Sequence, residues 1–258
     1  MTGAERYQGF QFFELVKKQS LCRRVQVAKM NNAVLEIVFP EEGKVRSRKI
    51  VTRSRARPTG KYPSWKMGRM LQWESVNELN AYRLLDADPA ALAYHEQPLT
   101  IRYSLNNEVH THYPDTLVQW GSSRELWEIK PSAQALRPEY LERTKLLEVA
   151  LPQLGFAYRM VFAEELAKEP RLSNVLSILK YGRARVPESE REQLRQLVDV
   201  KQGITWGDVL GGALGKQGRS HVCRLVLEGQ VHLNLDEPVT SASTLSWLES
   251  SKFVAKAA

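Results

Sequence analysis

Long apolar runs are missing from this chain. The longest span only a few residues, far below the ~18 that a bilayer-crossing helix needs, which excludes a helical membrane protein. The first ten residues, MTGAERYQGF, lack the charged-then-apolar pattern and small-residue cleavage site of a leader, so the expected location is the cytoplasm. Cysteine is scarce. Cys22 and Cys223 stand far apart without a CxxC or Cys/His cluster, which excludes a zinc finger and fits a reducing compartment; a disulfide between them is the lesser alternative. No GxxxxGK[ST] loop, strand-then-GxGxxG turn or GxSxG elbow occurs, so neither nucleotide binding nor serine hydrolysis has support. Internal repeats and low-complexity tracts are absent too. With 43% hydrophobic and 26% charged residues over 258 positions, the chain reads as one large or two modest globular domains.

Positive charge is what the chain has in excess, 37 Lys+Arg against 29 Asp+Glu for a net +8. Its distribution is uneven. Residues 44–69 hold Lys44, Arg46, Arg48, Lys49, Arg53, Arg55, Arg57, Lys61, Lys66 and Arg69 with no acid among them. Such a block makes a strong local field whose usual partner is nucleic acid, the other reading being a solvated loop. Pro58, Gly60 and Pro63 interrupt regular structure, so the block is expected to be an arm or extended loop able to follow a phosphate backbone.

The apolar, β-branched run at 33–39 predicts a strand before the arm. After it, WESVNELNAYRLLDAD sets Val76, Leu79, Tyr82 and Leu85 at i+3 spacing, predicting a helix that stops before Pro89, with Glu74 and Glu78 on one face. Strands are expected at 99–105, 108–120 and 124–130, turned at Asn106-Asn107 and Gly121-Ser122-Ser123, as an antiparallel meander. A helix opening at Pro138 and a strand at 156–162 then add a parallel strand. Beyond about Pro170 the pattern turns helical, at 172–181, 188–200 and 206–214, and ends in two short strands at 222–227 and 231–235. The predicted fold class is α/β: a mixed-sheet core with helices over 1–170, then a smaller, mainly helical, winged-helix-like domain over 171–258 that could bind DNA or protein.

Chemistry concentrates at Tyr113-Pro114-Asp115 and, thirteen residues after Asp115, Glu128-Ile129-Lys130. Strand alternation puts Glu128 and Lys130 on one face and Trp127 and Ile129 on the other. Two acids offer the hard oxygens that Mg²⁺ takes, and a neighbouring lysine can orient water or stabilise phosphate charge. Register is the condition: if Trp120 faced Arg124, Asp115 would sit opposite Ile129, so convergence needs a one-residue shift or a bulge near Pro114. On residue types alone, Pro-Asp is also a common turn and Glu-x-Lys a common solvent-facing strand pattern. His110 and His112, without a nearby Cys or third His, read as a partly exposed strand pair rather than a zinc site. The six tryptophans read as core or interface residues, with Trp65 an alternative contact for a sugar.

With the flanking helices and basic arm, this triad resembles the core of the PD-(D/E)xK nucleases. A narrower resemblance covers most of the chain. Lys49 to Arg53, Pro63 to Arg69, the WESVNE run, His95-Glu96-Gln97-Pro98-Leu99, Tyr113 to Val118 and Trp127 to Pro131 look, in order and spacing, like the TnsA endonuclease subunit of heteromeric transposases. The resemblance implies a metal site from Glu78, Asp115 and Glu128, with the Ile129 carbonyl as an extra ligand, and Lys130 positioning water. Some members carry Gln at the Glu128 position; a glutamate on the later helix maps loosely onto Glu148. The implied cofactor is Mg²⁺, with Mn²⁺ as substitute. DNA contacts are expected from Arg48, Lys49, Arg53, Arg55, Arg57, Lys61, Ser64, Lys66 and Arg69. Further implications are cleavage at the 5′ ends of a transposon, double-stranded DNA, a partner transposase subunit and an AAA+ regulator as partners, and a bacterial, nucleoid-associated complex. The rival readings are a stand-alone restriction or repair nuclease and a catalytically silent DNA-binding adaptor.

Overall fold

The computed structural model describes residues 24–26, 33–41, 43–47, 58–200 and 204–248. The chain divides into two compact units, Met1–Leu79 with Ala91–Leu166, and Asn80–Ala90 with Ala167–Ala258. In the first, the strands are β1 (Arg24–Gln26), β2 (Val34–Val38), β3 (Gly60–Ser64) and β4 (Arg69–Trp73). Helix α1 (Val76–Ala87) follows, and the division falls within it, after Leu79. Then come β5 (Ala91–Glu96), β6 (Thr100–Leu105), β7 (Glu108–His112), β8 (Thr116–Trp120) and β9 (Ser123–Lys130). The unit closes with α2 (Ser132–Ala135), α3 (Pro138–Ala150), β10 (Ala157–Phe162) and α4 (Ala163–Leu166).

Two four-stranded sheets result, ordered β1-β2-β6-β7 and β10-β9-β8-β5. The strand expected over 108–120 is broken. Pro114 has no N–H for a ladder, and at Tyr113-Pro114-Asp115 the chain leaves the first sheet and enters the second. The meander is therefore corrected: β6 and β7 pair in one sheet, β8 and β9 in the other, and β8's second neighbour is β5, a strand the sequence reading left out. Asn106 and Asn107 both take positive φ, 53° and 64°, as a two-residue hairpin turn with the twist of its strands requires. β10 runs parallel to β9, as the strand–helix–strand pattern predicts. Leu147, Ala150 and Leu151 bury one side of α3 and the turn after it in a core with Leu117, Leu126 and Tyr158.

The arm also needs correction at its C-terminal end. Gly60–Ser64 and Arg69–Trp73 form an antiparallel hairpin instead of a loop, and Trp73 ends a strand where a helix was expected. Arg48, Lys49, Arg53, Arg55 and Arg57 lie outside the described residues, as does Cys22. Cys223 is buried as a free thiol.

The second unit contains α5 (Arg171–Tyr181), α6 (Glu188–Val200), β11 (Ile204–Thr205), α7 (Trp206–Leu210), α8 (Gly218–Leu227), β12 (Val231–His232) and β13 (Thr244–Trp247). Residues 222–227, expected as a strand, are the C-terminal part of α8; a short apolar run has no period that separates strand from buried helix. β12 consequently pairs with β13, which also pairs with β11. Helix α7 ends at Leu210, where Gly211 and Gly212 follow and Gly212 takes φ 86°. No helix among the described residues is long and apolar enough to cross a membrane.

Candidate active site

Register brings the two acids together. Trp120 faces Ser123, so the β8–β9 turn has two residues, Gly121 and Ser122, and the one-residue shift needed for convergence is present. Thr116 faces Trp127, and just before the strand the Asp115 N–H also reaches Trp127, donating to its carbonyl at 2.9 Å. Ile129 N–H then donates to Asp115 Oδ2 at 2.7 Å, fixing the carboxylate beside β9.

Lys130 Nζ sits among the predicted metal donors. It lies 2.9 Å from Glu128 Oε1, 3.5 Å from Asp115 Oδ2 and 3.2 Å from the Ile129 carbonyl. The ammonium stands where a cation would, and those oxygens accept one. Among the described residues, no three His, Cys, Asp or Glu side chains are drawn together as a metal cluster. The oxygens here that could hold Mg²⁺ are two carboxylates and a backbone carbonyl. Glu128 Oε2 is buried without a hydrogen-bond partner, with His112 Nε2 3.5 Å away.

Charge in the site is unevenly settled. Burial, then the neighbouring Glu128 charge, pushes the Asp115 pKa well above the usual carboxylate value. For Glu128, burial acts in the same direction but His112, Lys130 and Arg143 outweigh it, and its pKa is lowered. Burial pushes His112 down to about 4, so at neutral pH the compensating charges are Lys130 and Arg143. Lys130, although desolvated, has its pKa raised by Asp115 and Glu128 and stays protonated.

Glu78 is buried at the start of α1, and its carboxylate is engaged by the helix end. Oε2 accepts from Glu74 N–H at 2.8 Å and Oε1 from Ser75 Oγ at 3.1 Å, while Ser75 Oγ accepts from Glu78 N–H at 3.2 Å. Ser75-x-x-Glu78 is thus a cap of the Ser-x-x-Glu kind, a signal present in the sequence. Burial raises the Glu78 pKa, and Glu78 interacts electrostatically with Asp115 and Lys130 without a hydrogen bond to either.

Three further groups belong to the cluster and were missed. Arg143 Nη2 donates to Glu128 Oε1 at 2.9 Å. His112, expected as partly exposed, is buried, 3.5 Å from Glu128 Oε2, with its Nε2 3.0 Å from the Tyr158 hydroxyl. Arg143 could have been found as the one cation on the inward stripe 143, 147, 150 of α3; Glu148 on that helix is exposed.

Of the described arm residues, Lys44 and Lys61 are exposed, and others bond within the protein. Ser64 is buried and its hydroxyl accepts from Tyr94 and from Met67 N–H. Lys66 Nζ donates to the Ala91 carbonyl at 2.7 Å. Arg69 grips fully buried Glu96 through two bonds of 2.6 and 2.8 Å, with Arg46 3.6 Å from the same carboxylate. Next to it, the Gln97 carbonyl accepts from both N–H and Oγ of Ser47, its N–H donates to the Asp115 carbonyl, and its side chain donates to Glu74. The HEQPL motif thereby ties the arm's root to the strand end that carries Asp115 and to the acids that open α1.

Residues 88–162 match the family described as TnsA-like endonuclease N terminal. This segment is TnsA-like. The matched stretch of the TnsA-like domain contains Asp115, Glu128, Ile129, Lys130 and Arg143, whereas Glu78 and the arm precede it. The description of that family names an endonuclease. No curated protein matches the chain.

Proposed function

We propose that the protein is a divalent-metal-dependent DNA endonuclease subunit of a heteromeric transposase, hydrolysing phosphodiester bonds at the 5′ ends of a transposon during excision. The observation that carries this reading is the meeting of Asp115, Glu128 and the Ile129 carbonyl around one cation, the Lys130 ammonium, inside the TnsA-like segment.

Asp115, Glu128 and the Ile129 carbonyl would hold Mg²⁺, with Mn²⁺ as a substitute and Glu78 contributing from the start of α1. When bound, the ion supplies Lewis-acid polarisation of the phosphate and a lowered pKa for water. Lys130, protonated beside the acids, is a donor and not a base: released from them, it orients the attacking water or stabilises charge on a phosphate oxygen. The Ile129 N–H bond to Asp115 Oδ2 fixes one oxygen of that carboxylate.

Arg48, Lys49, Arg53, Arg55, Arg57 and Lys61 are the arm cations proposed to follow the DNA backbone, while the root contacts of Ser64, Lys66 and Arg69 anchor the arm to the protein. In the second unit, the order helix, strand, helix, helix, strand, strand from α6 to β13 supports a winged-helix-like reading and a docking role toward the transposase subunit and an AAA+ regulator. The work would take place in the cytoplasm on nucleoid DNA. The test is 5′-strand cleavage at a transposon end, with Mg²⁺ and a partner transposase subunit, comparing wild type with Asp115→Ala. Cleavage lost only in the variant supports the reading. Equal inactivity in a complex that still assembles would leave the silent adaptor, and cutting of a defined site without partners would leave a stand-alone nuclease.

A further inference from the structure

We propose that Arg143 is the positioning residue for Glu128: its guanidinium, brought in by α3, is the lasting counter-charge that holds this carboxylate in place when Lys130 turns toward substrate. The proposal rests on the metal-nuclease reading and adds a residue to it.

Glu128 has a side chain only 5% exposed, so water cannot be its counter-charge. Two cations share its Oε1 at 2.9 Å, Lys130 and Arg143. They are not equivalent. Lys130 also contacts Asp115 and the Ile129 carbonyl, so it occupies the oxygens a metal would take and must leave them for the metal to enter. Arg143 touches neither Asp115 nor that carbonyl. Its guanidinium lies over the Tyr140 ring, 4.9 Å from the centroid, and interacts electrostatically with the phenol groups of Tyr103 and Tyr158. Tyr158 in turn meets His112, which lies beside the other Glu128 oxygen. A planar, always-charged group fixed on several sides suits a permanent partner, and a flexible ammonium suits an exchangeable one. An uncharged amide at position 128 would need no such partner, and this gives the proposal its test.

Thermal unfolding of the full chain without metal or DNA is compared for wild type, Glu128→Gln, Arg143→Gln and the double variant. Arg143→Gln leaves a buried carboxylate with Lys130 alone and is expected to lower Tm by roughly 10 °C. Adding Glu128→Gln should restore most of that loss. Additive losses would overturn the proposal, and if Arg143→Gln fails to fold, folding of the double variant supplies the same answer. In cleavage assays, Arg143→Gln is expected to lower kcat by about tenfold or more with KM for DNA unchanged, and Arg143→Lys to recover part of it. A raised KM at unchanged kcat would make Arg143 a phosphate contact and overturn the assignment. The unfolding comparison needs no cleavage, so an inactive wild type would defeat the nuclease reading without deciding this one.

Discussion

Two buried acids at neighbouring strand ends meet opposite fates. Glu96, at the end of β5, is fully buried and satisfied: Arg69 holds both oxygens, Arg46 lies beside them, and Gln72 N–H adds a weak bond. Asp115, just before the adjacent β8, is buried beside a second carboxylate and shares one ammonium with it. The first arrangement closes on itself and holds the root of the arm. The second leaves acids crowded and a Glu128 oxygen without a hydrogen bond. Buried charge that is fully paired builds structure, whereas buried charge in conflict marks a candidate functional site.

Opposite signs on substitution are the sharpest check of that contrast. Glu96→Gln strands Arg69 beside a neutral amide and should cost about 3–5 kcal/mol, read as a lowered unfolding midpoint. Asp115→Asn relieves the crowding and should stabilise the metal-free protein by roughly 1 kcal/mol while abolishing cleavage. Equal destabilisation by both would break the comparison.

Acid titration separates Asp115 from the buried His112. Asp115 has a folded pKa above its unfolded value of 3.8, so its ionisation opposes folding and stability contributed by its protonated form is lost as pH rises through the raised pKa; Asp115→Asn should remove that loss. His112 behaves in the reverse sense. Its ring takes a proton at about 4 when folded and at 6.5 when unfolded, so the unfolded chain binds more protons in that window and stability falls as pH drops through it. His112→Gln should flatten the stability profile between those values, and an unchanged slope would exclude the buried ring as its source.

The smallest effect is expected at Gln97, which bridges the two regions with φ 39°. Gln97→Ala cuts the bond to Glu74 and keeps the backbone bonds to Ser47 and Asp115, so DNA affinity should hold while kcat falls by about threefold to tenfold. A loss of DNA affinity instead would show that the side chain supports the arm more than the acids.

Much of this site was legible in the sequence, and the gaps have physical causes. Glu128 and Lys130 on one strand face follow from alternation alone, and Asp115 was named with them. Whether Asp115 met them depended on one residue of turn length, Gly121-Ser122 against Gly121-Ser122-Ser123, which side-chain patterning does not resolve. Strand β5 was left out, and 108–120 was read as one strand despite Pro114, because sheet membership is a long-range property that local pattern does not carry. Arg143 needed the inward stripe of α3 to be read for charge as well as for hydrophobicity. In the second unit, the run at 222–227 has composition that suits a strand and surroundings that make it a helix.

The most direct measurement is Mn²⁺ binding, followed by electron paramagnetic resonance, to the full-length protein and to Asp115→Ala, without DNA. The account predicts saturable binding to the wild type that is lost in the variant, because the proposed cation site is built on Asp115 and Glu128, the acids that Lys130 contacts. Binding of equal strength to both proteins would contradict it.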